Sequence, residues 1–342
     1  LNEERLQETW YGDREPGMLL SVLERVYGSV AAHRRDKAVP APDLQHRPII
    51  VVGNITVGGT GKTPLVIRLC DLLQGEGLSV AVVSRGYGRK ARSPVRVDAD
   101  TTPAQGGDEP VLIARRCQVP VFVDADREAA ARAAFESGAQ VVLADDGLQR
   151  ASLPRAQELC VVDGLRGFGN GRLLPAGPLR EPLDRLTRVD WLIRNGPGSL
   201  ESLATLENDL RHPVVTMDLA PTGYLRLGDG QWNHVNNPPA AFSGGVTAVA
   251  GMGNPGRFFD TLQRLGVKTN AEHAFPDHHD FSSEDFAGMD APVLMTEKDA
   301  VKCAALVPEA WALRVEAQLP ADWEAKWLAS VQVMIKDSGS DK

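Results

Sequence analysis

The feature that most constrains this chain is the run Ile55-Thr-Val-Gly-Gly-Thr-Gly-Lys-Thr63, set between the apolar segment Arg47-Pro-Ile-Ile-Val-Val-Gly-Asn54 and a helically periodic one from Pro64 to Leu73. Strand, glycine loop and helix, in that order, form the setting of a phosphate-binding loop. Backbone N–H groups freed by glycine and the start of a helix together enclose phosphate oxygens there. Thr56, Val57, Gly58, Gly59, Thr60 and Gly61 would form the cradle. Lys62 would reach the β- and γ-phosphates of ATP, and the Thr63 hydroxyl would ligate Mg²⁺. Pro64 falls near the helix start, where its missing N–H costs little. One position departs from the general G-x-x-x-x-G-K-[ST] pattern: Thr56 stands where the first glycine is usual. Such a loop implies an α/β fold, a P-loop core with a mainly parallel sheet flanked by helices.

A loop of this kind needs an acidic residue at the end of a neighbouring strand to hold the phosphate-bridging Mg²⁺. Ala139-Gln-Val-Val-Leu-Ala144 reads as a buried strand and runs into Asp145-Asp-Gly-Leu-Gln149, so Asp145 and Asp146 are the candidates. Leu159 to Asp163 repeats the pattern less distinctly. Another strand, Ser79 to Val83, ends in Ser84-Arg-Gly-Tyr-Gly-Arg-Lys90, which places Arg85 and Arg89 at a strand's carboxyl end, where α/β sheets bind ligands. Gln105-Gly-Gly-Asp-Glu-Pro110 precedes an apolar helix, and taken alone it reads as capping, with Asp108 as N-cap and Glu109 favourable to the helix dipole.

Composition narrows the partners. With 37 Lys and Arg against 45 Asp and Glu, the net charge is −8, so the chain has no overall attraction for nucleic acid. Four scattered cysteines form no C-x-x-C pair, which argues against a zinc site or a disulfide framework and fits a reducing cytosol. No segment approaches the roughly 20 apolar residues of a spanning helix. From Gly17 to Ala32, however, Leu19, Leu20, Leu23, Val26, Tyr27 and Val30 recur at helical spacing, with Ser21, Glu24, Arg25 and Ser29 largely opposite. Trp10 and Tyr11 before this helix, and Arg34, Arg35 and Lys37 after it, would suit a lipid headgroup layer. Packing of the helix on its own domain is the alternative.

Taken together the motifs resemble those of the tetraacyldisaccharide 4′-kinases, which phosphorylate the lipid A disaccharide precursor of Gram-negative bacteria. The resemblance rests on Val52 to Pro64, Ser84-Arg-Gly-Tyr-Gly88, Gly107-Asp-Glu-Pro110, Asp145-Asp-Gly-Leu-Gln149, Gly169 to Pro182, Phe275-Pro-Asp-His278 and Thr296-Glu-Lys-Asp-Ala-Val-Lys302, all in the family's order. Thr56 in the loop is itself characteristic of that family. The resemblance implies transfer of the ATP γ-phosphate, with Mg²⁺, to the 4′-hydroxyl of an acylated glucosamine disaccharide 1-phosphate, giving lipid IVA. It implies a peripheral position on the cytoplasmic face of the inner membrane, with the N-terminal helix on the lipid surface and no obligate protein partner. It further implies an Asp108–His278 dyad beside the γ-phosphate, with Asp108 favoured as proton acceptor, although sequence leaves the choice between the two open. Arg180 would face phosphate, and Glu181 would face metal or substrate. The Thr296–Asp299 segment receives no role.

The chain divides into an N-terminal membrane-associating helix (1–40), the kinase core (41–222), a hairpin and linker (223–240), a smaller C-terminal α/β lobe (241–335) and a polar tail (336–342). Gly223 to Trp232 reads as a hairpin around Asp229-Gly230. Two rival readings remain. Gly251-Met-Gly-Asn-Pro-Gly256, with Glu272 beyond it, is a literal G-x-G-x-x-G dinucleotide signature, into which Pro255 intrudes. A membrane-surface switch ATPase of the partitioning or septum-placement type also pairs a G-G-x-G-K-T loop with an amphipathic anchor, but carries a lysine early in the loop where this chain has Val57.

Overall fold

The computed structural model describes residues 3–339 except 90–92, 99, 199, 201–202, 204–208 and 291. Its strands, in chain order, are β1 (Ile49–Gly53), β2 (Val80–Ser84), β3 (Val95–Val97), β4 (Val121–Val123), β5 (Val141–Asp145), β6 (Gln157–Asp163) and β7 (Trp191–Asn195). They continue with β8 (Val215–Arg226), β9 (Trp232–His234), β10 (Val246–Ala250), β11 (Thr269–Ala274), β12 (Val293–Thr296) and β13 (Trp311–Gln318). The order across the sheet is β11-β10-β12-β13-β8-β7-β6-β1-β5-β2-β4-β3, with β9 beside β8.

Around β1 the sheet is parallel. Val52 is level with Asp145 on one side and Leu159 on the other. β1, β2 and β5 are buried at every position, as continuous apolar runs require when helices cover both faces. Helices Lys62–Gly75 and Asp108–Cys117 cover one face through Leu65, Leu69, Leu73, Val111 and Ile113. Helix Arg127–Glu136 covers the other through Ala130, Ala131 and Ala134. Burial of each large aliphatic side chain contributes about 1.5–3 kcal/mol, which fixes the sheet before any ligand is considered.

β8 joins the two lobes. Its first residues pair in parallel with β7, and the rest run antiparallel to β13, so a single strand belongs to both halves of the sheet. The hairpin at Asp229-Gly230 is present as read, with β9 returning along β8. The last helix, Ala321–Gly339, begins inside the stretch that the sequence divides off as the second lobe. It packs instead on the first core through Trp323, Trp327 and Val331, and it runs through the beginning of the supposed polar tail. Burial of these two tryptophans outweighs proximity in sequence.

The consequence for function is geometric. The carboxyl ends of β1, β2, β5, β6 and β7 carry the glycine loop, Arg85, Asp145-Asp146, Asp163 and Asn195. The carboxyl ends of β10, β11 and β12 carry Gly251–Gly256, Phe275–His279 and Thr296–Asp299. The two edges touch: Arg257 Nη1 donates to Asp163 Oδ2 at 3.0 Å, and Arg166 Nη2 donates to the Gly253 carbonyl at 3.0 Å.

Candidate functional site

The glycine loop leaves the buried strand β1 and ends at Gly61, whose φ of +93° caps helix Lys62–Gly75. A side chain at Gly61 would meet both a left-handed backbone and the amide of Asn195. Asn195, buried at the end of β7, donates from Nδ2 to the Thr60 carbonyl at 2.9 Å and accepts from Arg257 at 3.0 Å. The second lobe thus braces the loop through one side chain. Gly61→Ala is expected to destabilise the fold by about 2 kcal/mol, measured by urea unfolding, because the strained conformation and the clash add. Thr56 bridges antiparallel to Leu179, and Val57 donates its N–H to the Pro178 carbonyl at 2.9 Å, so the segment 178–180 forms a wall of the loop.

The paired aspartates occupy two environments. Asp146, with φ +51°, lies 3.6 Å from Lys62 Nζ and accepts both Arg180 nitrogens at 2.9 and 3.1 Å. Burial alone would raise its pKa, but Lys62 and Arg180 prevail and hold it well below the usual carboxylate range. Asp145 is 1% exposed and receives Ser84 Oγ at 3.4 Å on Oδ2, while Oδ1 is buried without a hydrogen-bond partner. Burial, then Glu109 and Asp146, push its pKa up to about 7. A buried carboxylate with an orphaned oxygen and negative neighbours fits a cation. Among the described residues no group of three or more His, Cys, Asp and Glu could hold a metal alone. That suits Mg²⁺, which is usually bound by one or two carboxylates together with substrate phosphate oxygens.

In the same lobe, Gly107 (φ +91°), not Asp108, takes the N-cap position of helix Asp108–Cys117. Asp108 is the first helical residue, and its side chain is turned away from capping. Its Oδ2 lies 3.4 Å from His278 Nδ1 and 3.7 Å from Lys302 Nζ. His278 itself has φ +61°, an uncommon conformation for a non-glycine residue and one that clusters at functional sites. His279 is occupied elsewhere, with Nε2 3.2 Å from Asp285.

The remaining sequence candidates separate. Arg180 belongs to the site through Asp146, and it also contacts Asn54 Oδ1. Glu181 faces inward, accepting from Gln149 at 2.7 Å and pairing with Arg185 at 3.4 Å, with Arg35 4.0 Å away. Arg85 is exposed at the end of β2, and Arg89 donates to the Ser93 carbonyl at 2.8 Å. Sequence reasoning missed Asn195, Lys298 and Lys302. Their only signal was a polar residue at the end of a buried strand and the unassigned Thr296–Lys302 motif.

A family model described as tetraacyldisaccharide-1-P 4′-kinase matches residues 17–332. The chain belongs to this family. A tetraacyldisaccharide 4′-kinase of Halorhodospira halophila is 44% identical over 322 residues, spanning 90% of this chain and 91% of the relative. One from Alkalilimnicola ehrlichii is 48% identical over 287 residues, spanning 79% and 78%. LpxK from Aquifex aeolicus, whose crystal structure contains ATP, superposes with a TM-score of 0.73 at 29% identity, covering 92% of this chain and 97% of that one. The chain is therefore a lipid A 4′-kinase built on a P-loop core, and the switch-ATPase alternative is not favoured. The glycine signature at 251–256 is absorbed in the same way. Gly253 lies close to the backbone of Gly59 and to the Asp277 carboxylate, and Glu272 lies on the exposed strand β11 with Thr269 at 3.3 Å.

Proposed function

We propose that the chain transfers the γ-phosphoryl group of ATP to the 4′-hydroxyl of tetraacyldisaccharide 1-phosphate, giving lipid IVA, with Mg²⁺ bound at Thr63, Asp145 and, directly or through water, Asp146. The observation that carries this reading is the convergence of two sheet edges, one presenting Lys62 and the aspartate pair, the other presenting His278 opposite Asp108. Mg²⁺ held by these residues would supply charge neutralisation on the phosphate oxygens. Lys62, held by Asp146, is positioned for the β- and γ-phosphates, and Arg180 adds a second cation to the same carboxylate. A sugar hydroxyl is a weak nucleophile at neutral pH, so its proton must leave as the new bond forms. Asp108 is placed to accept it, oriented by His278. The direct test is transfer of labelled γ-phosphate to the disaccharide in detergent micelles with Mg²⁺ present or withheld. ATP binding without labelled lipid would refute the acceptor.

The same proposal places the protein peripherally on the cytoplasmic face of the inner membrane. Among the described residues no helix is long and apolar enough to cross a bilayer. Helix Met18–Asp36 is docked by its polar side: Glu24 accepts from Arg172 at 2.6 Å and from the Leu173 N–H at 2.9 Å, and Tyr27 donates to the Arg180 carbonyl at 3.2 Å. Leu20 is buried, but Met18 is 86% exposed and Leu19 70%, and Val22, Leu23, Val26 and Val30 continue that outward stripe. Trp10 and Tyr11, expected at headgroup depth, are engaged with the protein instead. Trp10 donates to the Pro175 carbonyl at 3.0 Å, and the Tyr11 ring lies under Arg166. An outward apolar stripe ending in exposed Arg34, Arg35 and Lys37 suits an anionic lipid surface. Leu19→Glu combined with Val26→Glu is expected to reduce co-sedimentation with anionic phospholipid vesicles at least tenfold, while leaving the unfolding free energy within about 0.5 kcal/mol. Undiminished co-sedimentation would refute the lipid-facing role.

A further inference from the structure

Lys298 lies on helix Glu297–Cys303, immediately after β12. Its ammonium nitrogen is 3.0 Å from Asp277 Oδ1, 3.3 Å from Glu109 Oε1 and 3.3 Å from His278 Nε2. An ammonium has three hydrogens to donate and no lone pair to offer, and here it has three acceptors. The Nε2 atom facing it must therefore present its lone pair. The imidazole hydrogen then resides on Nδ1, the nitrogen 3.4 Å from Asp108 Oδ2.

We propose that Lys298 is a positioning residue that holds His278 in the neutral Nδ1–H tautomer and thereby aims a hydrogen bond at the carboxylate of Asp108. This deepens the kinase reading and rests on it. In that arrangement neither ring nitrogen is free to take a proton from the acceptor sugar: Nδ1 already carries one, and Nε2 faces a cation. The 4′-hydroxyl proton passes to Asp108 as the sugar oxygen bonds to the γ-phosphorus, and the bond to the β-phosphate bridge breaks with its electron pair leaving on ADP.

The surroundings are consistent with a charged Lys298. Burial would lower its pKa, but Glu109 and Asp277 outweigh burial and raise it above the ordinary value, so the side chain is an ammonium at neutral pH. Among the described residues, the other groups facing His278 are the Tyr87 ring, with centroids 4.9 Å apart, and Asp277, 3.9 Å from Nε2. Neither displaces the lysine from Nε2. Lys302, 3.7 Å from Asp108, donates to the His279 carbonyl at 2.9 Å. The tautomer is therefore selected by Lys298 rather than by the intrinsic preference of the ring, because which nitrogen is protonated follows from the bond the other one makes.

The test combines spectroscopy with kinetics. In protein labelled with ¹⁵N-histidine, two-bond ¹⁵N–¹H correlations assign the tautomer of His278, with His278→Gln identifying the signal. The expected result at pH 8 is Nδ1–H in the unsubstituted protein, and loss of that preference in Lys298→Met. The same variant should lose on the order of tenfold in kcat with the KM for ATP within twofold, and Lys298→Arg should recover most of the loss. An Nε2–H or doubly protonated ring in the unsubstituted protein, or an unchanged tautomer in Lys298→Met, would overturn the proposal. The spectrum needs no lipid acceptor, so failure of the acceptor assignment and failure of the tautomer assignment are separate results. If Lys298→Met does not fold, Lys298→Gln provides a polar replacement with the same readout.

Discussion

Asp108→Ala is expected to lower kcat by about 10³, with ATP affinity within about twofold of the unsubstituted protein. General base catalysis contributes roughly 10²–10⁴ in such reactions. Asp108 starts helix Asp108–Cys117 and is turned to His278 and Lys302. Removing it eliminates the proposed proton acceptor and leaves Lys302 with Asp299, at 3.4 Å, as its remaining carboxylate among the described residues. The glycine loop, Asp145 and Asp146 are untouched, so the nucleotide should bind as before. Steady-state kinetics in mixed micelles together with calorimetric ATP titration measure the two quantities. A fall in ATP affinity that matches the fall in kcat would remove Asp108 from the chemistry.

Lys62→Ala is expected to act on both. Its ammonium lies at the start of the helix that closes the phosphate loop and is shared with Asp146 at 3.6 Å. Losing it withdraws a cation from phosphate oxygens whose charge increases in the transition state, an effect worth about 10²–10³ in kcat by analogy with other preorganised charge-stabilising donors. It also leaves Asp146 with Arg180 as its remaining close cationic partner among the described residues, so the loop meets the nucleotide with less positive charge. The KM for ATP should rise about tenfold, and kcat/KM should fall by about 10³–10⁴ overall. If only kcat changed and nucleotide affinity were preserved, Lys62 would be acting on the reacting group alone. The contrast between the two variants is the diagnostic: one separates binding from chemistry, and the other damages them together.

Several sequence expectations meet the structure with a change of reason. Asp108 has the composition of an N-cap, yet Gly107 takes that position because its φ of +91° is open to glycine, and the aspartate is released to face His278. Glu181 sits beside Arg180 in the chain, yet the two side chains part. Arg180 goes to Asp146 in the cleft, and Glu181 goes to Gln149 and Arg185 inside the protein. The N-terminal helix is amphipathic as its periodicity implies, but periodicity does not say which side is docked. Arg172 binds the polar side through Glu24 and Ser21, and that contact turns the apolar stripe outward.

By itself the sequence determined the phosphate loop, the aspartate pair after β5, the class of fold and, through motifs spread along the chain, the family. These are local patterns: a loop with its flanking strand and helix, or a turn at a strand end, is specified by residues a few positions apart. Only the tertiary structure decided which distant groups share the cleft. Asn195 braces Thr60 from 135 positions away, Asp108 and His278 meet across 170, and Lys298 reaches back to both Glu109 and His278. The parallel sheet gathers strand ends that the sequence keeps apart, and β8, shared by both lobes, sets one edge against the other. Side-chain direction, burial and the charge of the neighbours then fix what each group can do, which is why two adjacent aspartates, Asp145 and Asp146, differ so widely in their affinity for a proton.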